Sequence, residues 1–402
     1  MSSSENEINN SSEENFTNSS SEENFTSSSS DQDDENNDNL ELKGKSLRHY
    51  NVIYEIGRGG YSIVWLVFNK LDQKFYALKI QNSNKFKEGL DEIKFVQNLP
   101  KEPDVFNNLI EYFIEKLNNN KYLCSIWNLH AANLDNIIRK SNYKLSFNSI
   151  MNIMKQLTIA LDILHNKFKV FHGDIKTDNI LVKGISNKNK IICKKYLELF
   201  NTNIAHKDII NELNFDIEQI NEFTFDFSDN INISLADFGF YCDSKNEYET
   251  PFGTRYYQAP EIILMGPCSY PVDIWALGCT FFELLTGNIL FDPIKDSKYS
   301  RDYYHLCLIN ETCGNFSSNF LHKTKNYKEY FTSNYKIKNF TLSLEYKNNY
   351  TRLDRKLNES NTTYTQDQIN LIKNILNKIL IIDYKKRIVI NELKNIFLTM
   401  AF

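Results

Sequence analysis

The stretch DIWALGCTFFELLTG, residues 273–287, constrains the fold of this 402-residue chain more than any other. Wound as a helix it is apolar nearly all round, so it must lie inside a body that covers every side of it. Gly287 stands where such a helix would close on a left-handed residue. A helix of this kind needs other helices around it, and the sequence carries them. Ser146 is placed to cap a helix on which Ile150, Ile153, Met154, Leu157 and Leu161 share one face. The earlier chain reads differently. From residue 50 to 80 the runs NVIYEIG, YSIVWLVFN and KFYALKIQ have the short alternating pattern of strands. Helical spacing follows over 85–99, and YLCSIW is a further strand ending near Trp127. The expected class is α+β with two lobes: a small antiparallel-sheet lobe with one main helix over 45–130, and a larger, mainly helical lobe over 131–402.

Composition marks off the rest. Residues 1–44 are Ser, Asn and Glu with almost nothing to bury, and are expected to be a disordered acidic tail. Within them SSEENFT occurs at 11–17 and again at 20–26, a short duplication too small to build a repeat fold. Residues 1–42 hold twelve of the 51 acidic residues and none of the 46 basic ones, so an acidic tail precedes a mildly basic body. The tail argues against a charged membrane partner, and the basic excess is too small to point to direct nucleic-acid binding. Seven cysteines without a C-x-x-C pair read as a reducing compartment and no zinc site. With no signal-like apolar segment and no run of membrane-spanning length, a cytoplasmic or nuclear protein is expected. Residues 183–232, between NILV and ISLADFG, are Asn/Lys-rich and then acidic, and read as an insertion; 296–365 reads as loop-rich.

The residues that carry chemistry come in order. In IGRGGYSIVW, at 56–65, glycines between two strands let the backbone approach a ligand with no side chain between. Ile56, Gly57, Arg58, Gly59, Gly60, Tyr61, Ser62, Ile63 and Val64 are therefore the expected nucleotide cover. In FYALKIQ, Phe75, Ala77 and Lys79 share one face of a strand. The small Ala77 beside Val64 leaves a flat slot suited to a purine, which Leu129 would help to line, and Lys79 points to where phosphates would lie. Such a lysine needs a counter-charge. Glu92 shares an apolar helical face with Phe95, Val96 and Leu99, where a lone carboxylate would be costly; Glu88, one turn earlier, is the alternative.

Within VFHGDIKTDNILV, at 170–182, Asp174, Lys176 and Asn179 stand between two apolar runs. Polar groups so dense need partners or a task. Asp174 suits the acceptance of a proton from a hydroxyl, Lys176 the neutralisation of transferring charge, and Asn179 a divalent cation. In LADFGF, Asp237 follows an apolar strand and supplies a second oxygen, and the pair suits Mg²⁺. Taken in this order the set resembles the signature of the eukaryotic protein kinases. The likeness extends through GTRYYQAPE at 253–261, DIWALG at 273–278 and DYKKR at 383–387.

That resemblance implies a bilobal protein-kinase fold, ATP and Mg²⁺ as cofactors, and transfer of the γ-phosphoryl group to Ser or Thr of a protein substrate. It also implies that Glu261 pairs with Arg387, that Asp273 anchors the loop around Asp174, and that Thr254 reaches the same loop through its hydroxyl. The run 89–113 and HGDIKTDNILV look most like the SR-protein kinases, which carry a long spacer where this chain has 183–232; Arg/Ser-rich substrates and a monomeric enzyme follow as expectations. Thr177 stands where those kinases have proline, and Ser62 where many kinases have a third glycine. Gly173 stands where phosphate-switched kinases carry an arginine, so a kinase active without phosphate on its activation segment is expected, with Arg255 the nearest substitute cation for a phosphate at Thr250 or Thr254. The rival class is a pseudokinase scaffold. Such scaffolds tend to lose the lysine or one of the two aspartates first, and all three are present here.

Overall fold

In the computed structural model of the chain, the residues described are 40–117, 120–140, 144–220, 230–243, 251–294, 297–339, 352–359 and 364–400. Six strands, β1 (Ser46–Leu47), β2 (Tyr50–Arg58), β3 (Ser62–Asn69), β4 (Lys74–Gln81), β5 (Leu109–Leu117) and β6 (Asn120–Trp127), form one antiparallel sheet in the order β1-β2-β3-β4-β6-β5. Helix α1 (Phe86–Val96) lies between β4 and β5 in sequence and buries Glu92, Ile93 and Val96. The chain then crosses through β7 (His130–Asn133) and α2 (Leu134–Lys140) into the helical lobe, where Ser146 caps α3 (Phe147–Asp162) by accepting from the Ser149 amide.

Three short strands follow in the lower lobe: β8 (Val170–Phe171), β9 (Ile180–Lys183) and, beyond two helices, β10 (Ile233–Leu235), which pairs with β9. The two helices are α4 (Asn187–Phe200) and α5 (His206–Gln219). After β11 (Cys242–Asp243) come the short α6 (Pro260–Ile263) and then α7 (Pro271–Thr286), whose residues from Val272 to Leu285 are all buried. The all-round apolar stretch is thus the axis of the larger core, as its composition requires. Around it stand α8 (Arg301–Cys313), α9 (Ser318–Leu321), α10 (Tyr327–Tyr330), α11 (Arg352–Glu359), α12 (Gln366–Ile379) and α13 (Ile390–Thr399). Among the described residues no helix is long and apolar enough to cross a membrane.

Three segments take a more definite form than the sequence suggested. The packed body does not wait for residue 45: Leu40 and Leu42 are buried with Leu47, Trp65 and Phe113 in the upper face of the sheet. Composition hid them because two leucines in a polar run carry little weight in a window average. Residues 1–39 lie outside the described residues. Within 183–232, the segment read as an insertion, the described residues hold two packed helices. Ile192, Cys193 and Tyr196 of α4 and Ile209, Ile210 and Leu213 of α5 are buried against Ile53, Tyr54, Leu66 and Phe68 of β2 and β3. Strand β3 therefore has both faces covered, Ile63, Trp65 and Val67 above and Leu66 and Phe68 below, which is why YSIVWLVFN is nearly continuous in apolar residues. Finally, 296–365 contains helix α8, which buries Tyr303, Leu306 and Ile309 at helical spacing within a polar background.

Candidate active site

Strand β4 sets the first part of the site. Its Lys79 lies opposite Val64 on one side and Ser125 on the other, while Ala77 lies opposite Leu66 and Trp127. The Lys79 ammonium sits 3.0 Å from Glu92 Oε2 and 3.3 Å from Oε1, and 4.0 Å from Asp237 Oδ1. Glu92 Oε1 also accepts from the Phe238 amide at 3.3 Å, so this buried carboxylate ties α1 to both the sheet and the Asp237 turn. Glu88 pairs instead with Lys85, leaving Glu92 as the partner of Lys79. Burial works against the charge on Lys79, but Glu92 and Asp237 outweigh it and raise its pKa.

The second part is the segment between β8 and β9. Asp273, at the start of α7, accepts from the amides of His172 at 2.8 Å and Gly173 at 2.9 Å and bonds His165 Nε2 at 2.8 Å. Against the cost of burial, those bonds hold its carboxyl below the usual range. His172 donates from Nε2 to Ala236 O at 3.1 Å and accepts the Asp174 amide at Nδ1, which joins this segment to the one before Asp237. Asp174 is engaged at both oxygens: Oδ1 accepts from the Thr254 amide at 2.7 Å, and Oδ2 meets Lys176 Nζ and Asn179 Nδ2, each at 3.1 Å. Lys176 also donates to the Thr254 hydroxyl at 2.6 Å. Its pKa is raised, burial opposing and the charges of Asp174 and Asp178 prevailing.

Asp237 is half-exposed and has φ +62°, a conformation that non-glycine residues adopt at a cost. Burial opposes its charge, yet Lys79, His172 and Lys176 together hold its pKa below the ordinary carboxylate value. Asn179 turns its Nδ2 to Asp174, and its Oδ1 is the candidate second oxygen donor. A carboxylate and an amide oxygen near a lysine are a donor set that Mg²⁺ and phosphate fit.

The structure thus gathers Lys79, Glu92, Asp174, Lys176, Asn179 and Asp237. Of the nucleotide cover, Val64 and Ala77 face the cleft side of the sheet, and Ile56 and Leu129 border the cluster formed with α4 and α5. Gly57, Gly59, Gly60 and Ser62 form the exposed to half-buried β2–β3 turn, where Gly59 N bonds Ser62 O at 2.9 Å. Ile63 does not belong to the set. It is buried in the upper core opposite Ile80, on the face away from Lys79, because side chains alternate along a strand. Arg58 pairs with Glu55, and Tyr61 is exposed with Lys85 over its ring. Arg255 is not a spare cation, since it pairs with Asp302. Thr250 lies outside the described residues.

Two features escaped the motif reading. Trp127 is buried behind the slot, opposite Ala77, with its indole N–H donating to Ser125 Oγ at 2.8 Å, and so walls off the rear. Glu283 on α7 accepts from the Tyr257 hydroxyl at 2.5 Å and pairs with Arg139 beneath Thr177. Burial, with Asp135 and Asp178 nearby, pushes its carboxyl up to about 7. The available signal was a single acid within FFELL, an otherwise apolar turn of helix.

Glycines make the last contact. Gly173 has φ +82°, and a Cβ there would stand 2.7 Å from Phe240 O; Gly253 has φ +72°, and a Cβ there would stand 2.5 Å from Gly173 O. The segment carrying Thr254 therefore crosses the Asp174 segment backbone on backbone, at a spacing only glycine permits.

The geometry agrees with kinship. Residues 50–398 match the protein kinase domain family. The chain is 28% identical to the serine/threonine-protein kinase SRPK of Physarum polycephalum over 309 residues, 72% of either chain. It is 27% identical to the serine/threonine-protein kinase L205 of Acanthamoeba polyphaga mimivirus, over 72% of this chain and 77% of the relative. The dual specificity protein kinase lkh1 of Schizosaccharomyces pombe is 25% identical over 90% of this chain and 48% of the relative. The chain belongs to the protein kinase family, among its serine/threonine kinases.

Proposed function

We propose that the protein transfers the γ-phosphoryl group of ATP to Ser or Thr hydroxyls of protein substrates, and does so without phosphate on its own activation segment. The observation that carries the reading is Asp174, whose carboxylate is held by Thr254, Lys176 and Asn179 beside the Lys79–Glu92–Asp237 set. Asp174 orients the acceptor hydroxyl and takes its proton as the new O–P bond forms and the bond to the leaving diphosphate breaks. Lys176 stabilises charge on the transferring group. Lys79 would hold the phosphates, and Asp237 with Asn179 Oδ1 would hold the metal. Bound ATP supplies the phosphoryl group and Mg²⁺ neutralises its phosphate charge.

Two observations support the finer parts. The Gly173–Gly253 crossing and the Thr254 amide bond to Asp174 hold the described part of the segment, 251–254, against the Asp174 segment through backbone contacts that need no phosphate. The likeness to the serine/threonine-protein kinase SRPK of Physarum polycephalum favours Arg/Ser-rich substrates. The test is transfer to a degenerate Ser/Thr peptide array by phosphatase-treated protein, with Asp174→Asn as control. Transfer by wild type only, strongest on Arg-flanked serines, is expected. Activity equal in the Asn variant, or a tenfold loss on phosphatase treatment, would overturn it.

A further inference from the structure

Two lobes that meet over a nucleotide are free to move relative to each other unless a large apolar contact joins them. Here such a contact exists and does not belong to the cleft. Helix α4 starts after residues 184–186, directly beyond β9 of the lower lobe, and α5 leads back toward β10 on the same ladder. Both helices nevertheless bury their apolar faces on the underside of β2 and β3 in the upper lobe. The hairpin is therefore a second connection between the lobes, on the side where Ile56 and Leu129 edge the nucleotide slot.

At its centre is Tyr196, fully buried, with its ring 5.0 Å from Phe68 and 5.8 Å from Phe75. Its hydroxyl accepts from Asn51 Nδ2 at 2.9 Å and lies 3.0 Å from His206 Nδ1. His206 Nε2 lies 3.1 Å from Val52 O, which can only accept, so Nε2 carries the hydrogen and Nδ1 accepts from Tyr196. The relay begins at Asn51 and ends at Val52, adjacent residues of β2, and it passes through both hairpin helices. Tyr54 donates to Asn189 of α4 as a further tie.

We infer that the α4–α5 hairpin is a strap that fixes the upper lobe over bound nucleotide, with Tyr196 as its positioning residue. The inference rests on the kinase reading for its ligand. Because β2 carries Ile56 and leads into the glycine turn, loosening the strap lets the nucleotide cover drift while leaving the Asp174 segment in place. A nucleotide-side effect is the signature. Simple loss of folded protein would lower kcat and leave both KM values alone.

The experiment compares wild type, Tyr196→Ala, Tyr196→Phe, and Ile191→Ala on the exposed face of α4. Measured are kcat, KM for ATP, KM for peptide, and Kd for a fluorescent ATP analogue, the last independent of turnover. Tyr196→Ala is expected to raise the ATP KM and analogue Kd about tenfold, with peptide KM and kcat within roughly twofold. Tyr196→Phe keeps the ring and should restore most of the loss; Ile191→Ala should match wild type. An unchanged analogue Kd in a folded Tyr196→Ala overturns the strap. If that variant does not fold, Phe200→Ala, which removes a partly buried hairpin ring packed 4.8 Å from Phe68, takes its place, and an unchanged Kd in it overturns the strap. Wild type that binds the analogue without transferring phosphate would refute the activity and leave the strap to be judged by Kd alone.

Discussion

The candidate active site and the α4–α5 hairpin are held by opposite means. Around Asp174, the groups Lys79, Glu92, Asp174 and Lys176 each have a charged or polar partner, and the partners come from β4, α1, the Asp237 turn and the Thr254 segment. The hairpin is held by apolar side chains, one neutral relay and the Tyr54–Asn189 bond. Charge pairs fix atoms to within a bond length but add little net stability, because burying them costs nearly what they return. Apolar contacts of the kind at Tyr196 contribute about 1.5–3 kcal/mol for each side chain fully buried, without fixing any one atom. Precision is placed around Asp174, and strength where α4 and α5 meet the sheet.

This contrast can be broken most directly at Lys79. Lys79→Met should lower turnover by orders of magnitude while costing about 1–3 kcal/mol in stability, since Glu92 keeps the Phe238 amide. Phosphorylation assays and thermal melts on the same sample check it; near-normal turnover would remove Lys79 from the centre.

Gly173→Arg comes next. It places a side chain at φ +82° against Phe240 O, so turnover should fall tenfold or more, and phosphorylation of the segment should not restore it. A variant made active by an upstream kinase would show that the crossing tolerates a side chain.

Truncation sharpens the apolar side. Starting the chain at residue 40 should leave the melting temperature close to wild type, whereas starting at residue 45 removes buried Leu40 and Leu42 and should cost roughly 3–6 kcal/mol. Equal melting of the two truncated proteins would show that those leucines add nothing to the upper core.

The smallest effect is in pH. Burial, aided by the charge of Lys70 and only partly offset by the carbonyls of Val52 and Lys45, holds His206 below its ordinary value of 6.5. The unfolded chain therefore takes up this proton first. The stability His206 contributes is complete above pH 6.5 and is lost as pH falls from there toward the depressed folded value. Asp273, held below its ordinary 3.8, keeps its bonds through that window. ATP KM should thus rise a few-fold in mild acid before peptide KM moves, and His206→Gln should flatten the profile.

What could be read beforehand follows the same division. Ordered spacing singled out Asp174, Lys176, Asn179 and Asp237, and the structure brings them together with Lys79. The apolar stretch 273–287 exposed the core axis, since a helix apolar nearly all round must be covered on every side. The strap was missed because Ile192, Cys193 and Tyr196 sit among lysines and asparagines, and only the partner face on β2 and β3 makes sense of them. Ile63 was misplaced by treating IGRGGYSIV as one unit. Strand parity, with Val64 and Lys79 on the cleft side, already required Ile63 to face away. The same parity, carried across to β6, would have found Trp127.

The glycine crossing has a consequence for descent. A phosphate-reading arginine at 173 gains nothing until the backbone at Phe240 has moved aside, and that movement alone gains nothing either. Two changes must arrive together, so mutation one step at a time cannot readily install an arginine at this position. The close contact acts as a ratchet that keeps residue 173 without a side chain.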